Sequence, residues 1–341
     1  MKLRTLILPV MTAMSLVACQ KPKVPDRAEI DTNKSTFEVG ILQIETHPAL
    51  DSARTAFKTA INNSELLQGK TIHYTELNAQ GNLATEINQA KSLVSSCDLM
   101  LGISTPSAQD LKSARNEAGS KQPILFTAVT DPVDAGLIKA FPHHDGSVTG
   151  TSDDNPVEAQ IQLIRKCFPN KEPSQIKLGI LYTGSETNSA VQAKRAQKAA
   201  KAEGITKVTI STCTSIMDLS SVANRVANDN DVIYIPTDNL IATNMATIKS
   251  AVDNYHTLCI VGEENMLSGG HITYSVSYEL LGKRTGEMAA LILSGTQKTH
   301  EIDAEKMLDD EYLNKVYNSA NLTSSNITIP QETLEGFTDI A

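Results

Sequence analysis

The short polar side chains that could take hold of a small molecule gather at the ends of β-branched runs. Ser104 and Thr105 follow DLMLGI, Thr127 lies within PILFTAV with Thr130 and Asp131 just after it, Asn188 and Ser189 follow KLGILY, and Asp238 and Asn239 follow DVIYIP. His47 comes after the first such run, FEVGILQI. Several of these residues open a helix. In STPSAQDL (104–111) Pro106 suits a first helical position and Ser104 or Thr105 its cap, and Asn188 or Ser189 begins a long amphipathic segment. The first amides of a helix lack partners and carry partial positive charge, so a carboxylate can rest there without a basic residue. Asp131 and Asp238 lie in corresponding loops of two strand series, where either could face an ammonium group. Each of these residues, taken singly, is also an ordinary cap or turn residue, a role worth about 1 kcal/mol.

Catalytic chemistry needs more than this. The chain has no GxSxG elbow, no HExxH, no Walker-type loop and no GxGxxG after a strand. His143, His144 and Asp145 are adjacent in a loop after Pro142, the arrangement of solvated residues rather than of a metal site. The residues therefore predict binding without reaction, and neither cofactor nor metal.

The elements that carry these loops alternate short β-branched runs with longer helical ones, the pattern of parallel sheets covered by helices. FEVGILQI (37–44), TIHYTEL (71–77), DLMLGI (98–103) and PILFTAV (123–129) form one series. KLGILY (177–182), TKVTIST (206–212), DVIYIP (231–236) and TLCIVG (257–262) form a second, after the Gly- and Asp-rich junction 145–156. Two such series predict an α/β protein of two Rossmann-like lobes. In open sheets of this kind ligands bind beyond the carboxyl ends of the strands, where the polar loops lie.

The chain has 341 residues and begins MKLRTLILPVMTAMSLVAC, with Lys2 and Arg4 ahead of an apolar stretch that ends in small residues. That is the layout of a cleavable signal peptide over 1–18, and Leu16–Cys19 resembles the bacterial lipobox, which places diacylglycerol on Cys19. Two or more acyl chains anchor stably, at about 0.8 kcal/mol per buried methylene. Residues 19–36 are polar, contain two prolines and read as a flexible tether. Loss of the signal takes the formal charge from -9 to -11, since Lys2 and Arg4 leave with it. So acidic a body argues against nucleic acid as a partner. Cys97, Cys167, Cys213 and Cys259 either pair in one of three ways or are small buried residues, and their spacing leaves both open.

Ordered along the chain, GILQIETHPALDSARTAF (40–57), ISTPSAQ (103–109), PILFTAVTDPVDAGLI (123–138), VTGTSD (148–153), LYTGSETNS (181–189), IYIPTDN (233–239), VGEENMLSGG (261–270) and YELLGKRTGEMAALILSG (278–295) resemble the substrate-binding lipoproteins of ABC transporters, of the tryptophan/tyrosine type. That resemblance implies a type I periplasmic binding protein with a three-crossover hinge, near 148–152, 276–278 and 296–301. Lobe 1 is then 37–151 plus 276–300, and lobe 2 is 152–275 plus 301–341. It further implies an extracytoplasmic, lipid-anchored, non-enzymatic receptor that captures an amino acid, aromatic ones favoured. Its partners are the ABC permease and ATPase subunits and the membrane through its anchor. Carried over, His47, Ser104, Thr105, Thr127, Asp131, Asn188, Ser189, Asp238 and Asn239 line the cleft, with Ser277 at the hinge. The family commonly has an acid where this chain has Ser277, so Asp238 is left to hold the ligand ammonium. A sensory lipoprotein and a lipid-anchored hydrolase are the alternatives.

Overall fold

The computed structural model describes residues 28–141 and 146–341. The signal segment, Cys19 and His143, His144 and Asp145 lie outside them. Two strand–helix series build two sheets. In the first, β1 (Thr36–Gln43), β2 (Thr71–Asn78), β3 (Leu99–Ile103), β4 (Ile124–Val129) and β5 (Val148–Ser152) accompany α1 (Pro48–Asn62), α2 (Leu83–Ser96) and α3 (Thr105–Ala118). In the second, β6 (Lys177–Thr183), β7 (Lys207–Cys213), β8 (Val232–Ile235), β9 (Leu258–Val261) and β10 (Ile272–Val276) accompany α4 (Val157–Cys167), α5 (Thr187–Ala202), α6 (Ile216–Asp229), α7 (Asn239–Ala242) and α8 (Met245–Tyr255). The chain ends with α9 (Tyr278–Ser294), β11 (Glu305–Lys306), β12 (Leu313–Tyr317), α10 (Ser319–Ser324) and β13 (Thr338–Asp339).

Strand order is β11-β5-β4-β3-β1-β2 in the first sheet and β13-β12-β10-β9-β8-β6-β7 in the second. Neighbours run parallel except β12, which is antiparallel to β10. Central strands such as β3 and β4 are buried along their whole length and read as unbroken apolar runs, whereas the edge strands β2 and β7 are largely exposed or half-buried. Each sheet has one apolar cluster on either face, which makes each lobe a three-layer sandwich.

The chain passes between the lobes three times: over 153–156 from β5 to α4, at Ser277 from β10 to α9, and over 307–312 from β11 to β12. The third passage lies later than the sequence reading puts it. After α9 the chain runs back along the first lobe, where Glu305 pairs with Thr151 and Ile302, Ala304 and Met307 enter its core. Residues 301–306 therefore stay with lobe 1. The tether also stops earlier than expected. Ile30 packs on the first core, the Glu29 amide donates to the Lys121 carbonyl at 2.9 Å and Lys70 donates to the Thr32 carbonyl at 3.0 Å, so 28–35 is seated on lobe 1.

α9 crosses α1 closely because its Gly282 faces the Ala53 carbonyl; a Cβ there would lie 2.0 Å from that oxygen. Substituting Gly282→Ala forces the helices apart, and over-packing of this kind costs about 1–3 kcal/mol. Urea denaturation should register that loss. All four described cysteines are buried free thiols, so the alternative of small buried residues holds over any pairing. Among the described residues no helix is long and apolar enough to cross a membrane.

Candidate ligand-binding cleft

The carboxyl ends of the two sheets face each other, and the loops beyond them form the cleft. Its floor in the first lobe is set by three tight backbone positions. Gly102, near the end of β3, lets α3 start close by, since a Cβ there would lie 2.7 Å from the Ala108 nitrogen. Ser104 then turns at φ +98° and Ala128 at φ +54°, both in the left-handed region that L-residues seldom occupy. Such conformations persist where surrounding structure enforces them, and they cluster at ligand sites. The second-lobe wall comes from the starts of α5 and α7 and the loop after β9.

The lobes touch directly. His47 of lobe 1 meets Asn239 of lobe 2 at 3.4 Å, and Gln192 of α5 reaches the Thr130 hydroxyl at 3.4 Å. Between them His47, Thr105, Ala128, Asp153, Asn188, Asp238, Glu263 and Tyr278 help line a cavity of about 20 Å³, room for about one water. The first and second crossings are tied beside it. Tyr278 donates its hydroxyl to Asp153 Oδ2 at 2.6 Å, and the Val276 amide donates to Asn155 Oδ1 at 2.9 Å.

Unpartnered polar atoms converge on this cavity. His47 Nδ1, Thr105 Oγ1, Asp153 Oδ1, Asn188 Oδ1 and Glu263 Oε1 are buried and make no hydrogen bond, and their residues are only 2–8 % exposed. Leaving such a group unsatisfied costs about 1–3 kcal/mol, so five around one space call for polar partners there, from a ligand or from water. Their polarity is also fixed. Asn239 uses its Nδ2 to donate to Glu186 at 2.7 Å, so it offers its oxygen to His47, which must donate through Nε2 and present Nδ1 as an acceptor. Asn188 donates its Nδ2 to the Thr237 carbonyl at 3.1 Å, which leaves Oδ1 as an acceptor. With the two carboxyls ionised, four of the five free atoms thus accept, and Thr105 alone can donate.

Charge points the same way. Asp153, Asp238 and Glu263 line the cavity, with Glu45 and Glu186 nearby, and no lysine or arginine is among the lining residues. Burial pushes Asp153 up to about 6 and Glu263 up to about 7. Burial and the neighbouring Asp238 raise Glu45 to about 7 and hold Glu186 high as well, while burial keeps Asp238 above the usual carboxylate range. Burial drives His47 down to about 4, so it is neutral at pH 7. A cationic donor group suits these surroundings.

Of the residues singled out from sequence, His47, Thr105, Thr130, Asn188, Asp238 and Asn239 reach the cavity. The others stand behind it or away from it. Ser104 donates to Ser107, which donates to the buried Glu86 at 2.6 Å, bracing the start of α3. Thr127 bonds Thr151, which bonds Thr285 of α9. Ser189 donates to the Thr237 carbonyl, and Ser277 caps α9 through the Leu280 amide. Asp131 accepts from the Val133 and Asp134 amides at 3.0 Å and closes its own turn, away from the cavity, so the expected ammonium contact has no counterpart there. Asp153 and Glu263 were given no role from sequence, although VTGTSD and VGEEN contain them. An acid ending a buried strand or starting the loop after one is the signal that could have found them.

Two other features compete for attention. A larger groove of about 860 Å³ lies on the outer face between α1 and α9, but none of the unpartnered buried atoms belongs to it. The buried His271 and Ser325 and the half-buried Asp253 form a trio in lobe 2. There His271 Nδ1 accepts the Cys259 amide at 2.8 Å, so Nε2 carries the proton and donates to Ser325, which donates to Asp253. A histidine in that tautomer cannot take the serine proton, and the trio serves packing.

Residues 38–338 match the model of the family described as ABC transporter substrate binding protein. A tyrosine-binding protein of Clostridioides difficile (strain R20291) is 32 % identical over 304 residues, covering 86 % of this chain and 85 % of that protein. Among solved structures, an ABC domain in complex with L-Trp from Streptococcus pneumonia is 27 % identical, covers 90 % of this chain and 100 % of its own, and superposes with a TM-score of 0.79. A ligand-free, open substrate-binding protein with adhesive properties from Clostridium difficile is 31 % identical over 89 % of this chain and 99 % of its own, yet its TM-score is 0.66. The two lobes in contact here agree in shape with the complex more than with the open form.

Proposed function

We propose that this chain, which belongs to the ABC transporter substrate-binding protein family, captures an amino acid between its two lobes, which part to admit it and stand further apart around it than here, where the space holds about one water. The observation that carries the reading is the convergence of five unpartnered buried polar atoms, four of them acceptors, on one acid-lined cavity. An α-amino acid supplies the matching groups. Its ammonium meets the acceptors, and its carboxylate meets the Thr105 hydroxyl and the first amides of α3, which have no partner within their helix. Aromatic amino acids lead the candidates, given the tyrosine-binding and Trp-complexed relatives.

Capture works by population shift. A ligand that touches both lobes and the crossings stabilises the closed arrangement over open ones, and only that difference in affinity moves the equilibrium. The closed form is then recognised by an ABC permease with its ATPase subunits. A lipid on Cys19 keeps the receptor at the membrane surface on the outer side. The tether joins lobe 1 just before β1, at the end of the sheet opposite the cleft, which leaves the cleft mouth free.

Calorimetric titration of the fragment 28–341 with the twenty amino acids tests the reading. Saturable one-to-one binding of at least one is expected, and no binding of any overturns it. A variant sharpens the test. The Thr105 hydroxyl has no protein partner, so Thr105→Val should leave the urea midpoint nearly unchanged while weakening the amino acid about tenfold, the worth of one hydrogen bond to a charged group.

A further inference from the structure

The carboxylates of the cleft are of two kinds. Asp238 spends both oxygens on the protein, accepting from the Thr183 amide at 2.6 Å, the Thr183 hydroxyl at 2.8 Å and the Ile241 amide at 3.0 Å. Glu186 likewise accepts from the Asn239 and Leu240 amides and from the Asn188 and Asn239 side chains. These two acids hold α7 and the end of β6 in place. Asp153 and Glu263 differ. Each has one oxygen engaged, by the Tyr278 hydroxyl at 2.6 Å and by the Asn265 amide at 2.7 Å, and the other buried without a hydrogen bond of ordinary geometry, although the Thr130 hydroxyl stands near Asp153 and the Met266 amide near Glu263 and each favours the charged carboxylate. Both line the same cavity, and the Tyr278 hydroxyl feels both charges.

Resting on the amino-acid reading above, we propose that Asp153 and Glu263 together form the subsite for the ligand's primary ammonium. A tetrahedral ammonium has three donors, enough for Asp153 Oδ1, Glu263 Oε1 and one of the remaining acceptors, His47 Nδ1 or Asn188 Oδ1. Its charge offsets two buried acids that have no basic neighbour in the cavity, which a neutral hydroxyl cannot do. Among the described residues no group of three or more His, Cys, Asp or Glu is placed to hold a metal ion instead. Ser277, at the second crossing, does not compete for this role, since its hydroxyl caps α9. Asp153 lies on the first crossing and Glu263 on the second lobe, so an ammonium between them draws that lobe onto the hinge.

The isosteric variants Asp153→Asn and Glu263→Gln, in the fragment 28–341, test this against L-tryptophan and L-tyrosine and against their des-amino analogues 3-indolepropionate and 3-(4-hydroxyphenyl)propionate. The wild type should bind the better amino acid about 100-fold more tightly than its des-amino analogue, the worth of paired charged hydrogen bonds. Each variant should lose about tenfold for the amino acid and little for the analogue, so the ratio collapses. A general loss of folding would lower both affinities together, and circular dichroism identifies it. Wild-type protein that binds either amino acid while the variants keep the ratio overturns the subsite and leaves the amino-acid reading standing. Wild-type protein that binds neither overturns both for these two ligands.

Discussion

Ligand-free protein should lose stability between pH 6.5 and 8.5, by roughly 2–4 kcal/mol, as its buried carboxyl groups are forced to ionise. Burial pushes Glu45, Glu86 and Glu263 to about 7 and Asp153 to about 6, and it raises Glu186. An unfolded carboxyl titrates near 4, so the folded state binds the extra protons. Its advantage is complete at low pH and disappears as pH rises through each folded value. His47 and His271 act in the opposite sense. Both are held near 4 by burial, so their contribution is present above about 6.5 and is lost as pH falls towards 4. Above pH 6.5 the histidine contribution is flat, and the slope belongs to the acids. Urea denaturation at steps of half a pH unit reads it directly. A saturating ligand that brings an ammonium should flatten the slope by favouring ionised Asp153 and Glu263. Stability that holds level or rises over this interval contradicts the account of an acid-lined cleft.

Replacing Gln160 by leucine should cost about 3 kcal/mol or more and weaken the ligand as well. Gln160 is fully buried in α4, the helix that follows the first crossing. Its Nε2 donates to the Gly262 carbonyl at 3.1 Å and the Tyr274 carbonyl at 2.8 Å, and its Oε1 accepts the Tyr234 hydroxyl at 2.7 Å. One amide thus ties α4 to β8, to β10 and to the residue before Glu263. Leucine fills the volume but strands a buried hydroxyl and two carbonyls, each worth about 1–3 kcal/mol when unsatisfied. Freed from this contact, the loop after β9 lets Glu263 drift, so affinity falls about tenfold beyond any loss of folded protein. Gln162 on the exposed face of the same helix is the control, and its replacement should stay within about 0.5 kcal/mol. Chemical denaturation and calorimetric titration of both variants decide the matter.

The lobes were legible because central parallel strands are buried on both faces and announce themselves as apolar runs such as LMLGI and ILFTAV. The loops after them were legible for the same reason, since ligands in open sheets bind beyond the carboxyl ends. The division of labour within those loops was not. Asp131 and Asp238 look alike in sequence, yet one closes its own turn and the other is spent on Thr183 and Ile241. What separates them from Asp153 and Glu263 is a long-range partner count: Tyr278 is far from Asp153 in the chain, and no local pattern reports that one oxygen of each acid is left over. The third crossing escaped for a similar reason. β11 has only two residues, and its pairing with β5 is a tertiary event with no periodicity of its own.

The same reasoning explains Thr127 and Ser104. Their types and positions suit a ligand contact, but Thr151 and Ser107 take their hydroxyls, so they brace the floor that Thr105 and Ala128 present. Polar residues at strand ends thus divide into those whose polar atoms stay free at the cavity and those that brace them. A hydrogen-bond inventory separates the two where sequence type cannot.

A crystal structure of the fragment 28–341 with the tightest-binding amino acid tests the central claim most directly. The ligand is expected between the lobes, its ammonium nitrogen about 3 Å from Asp153 Oδ1 and Glu263 Oε1 and its carboxylate at the start of α3. An amino acid seated in the outer groove between α1 and α9, or lying in the cleft with its carboxylate turned towards the two acids, would contradict it.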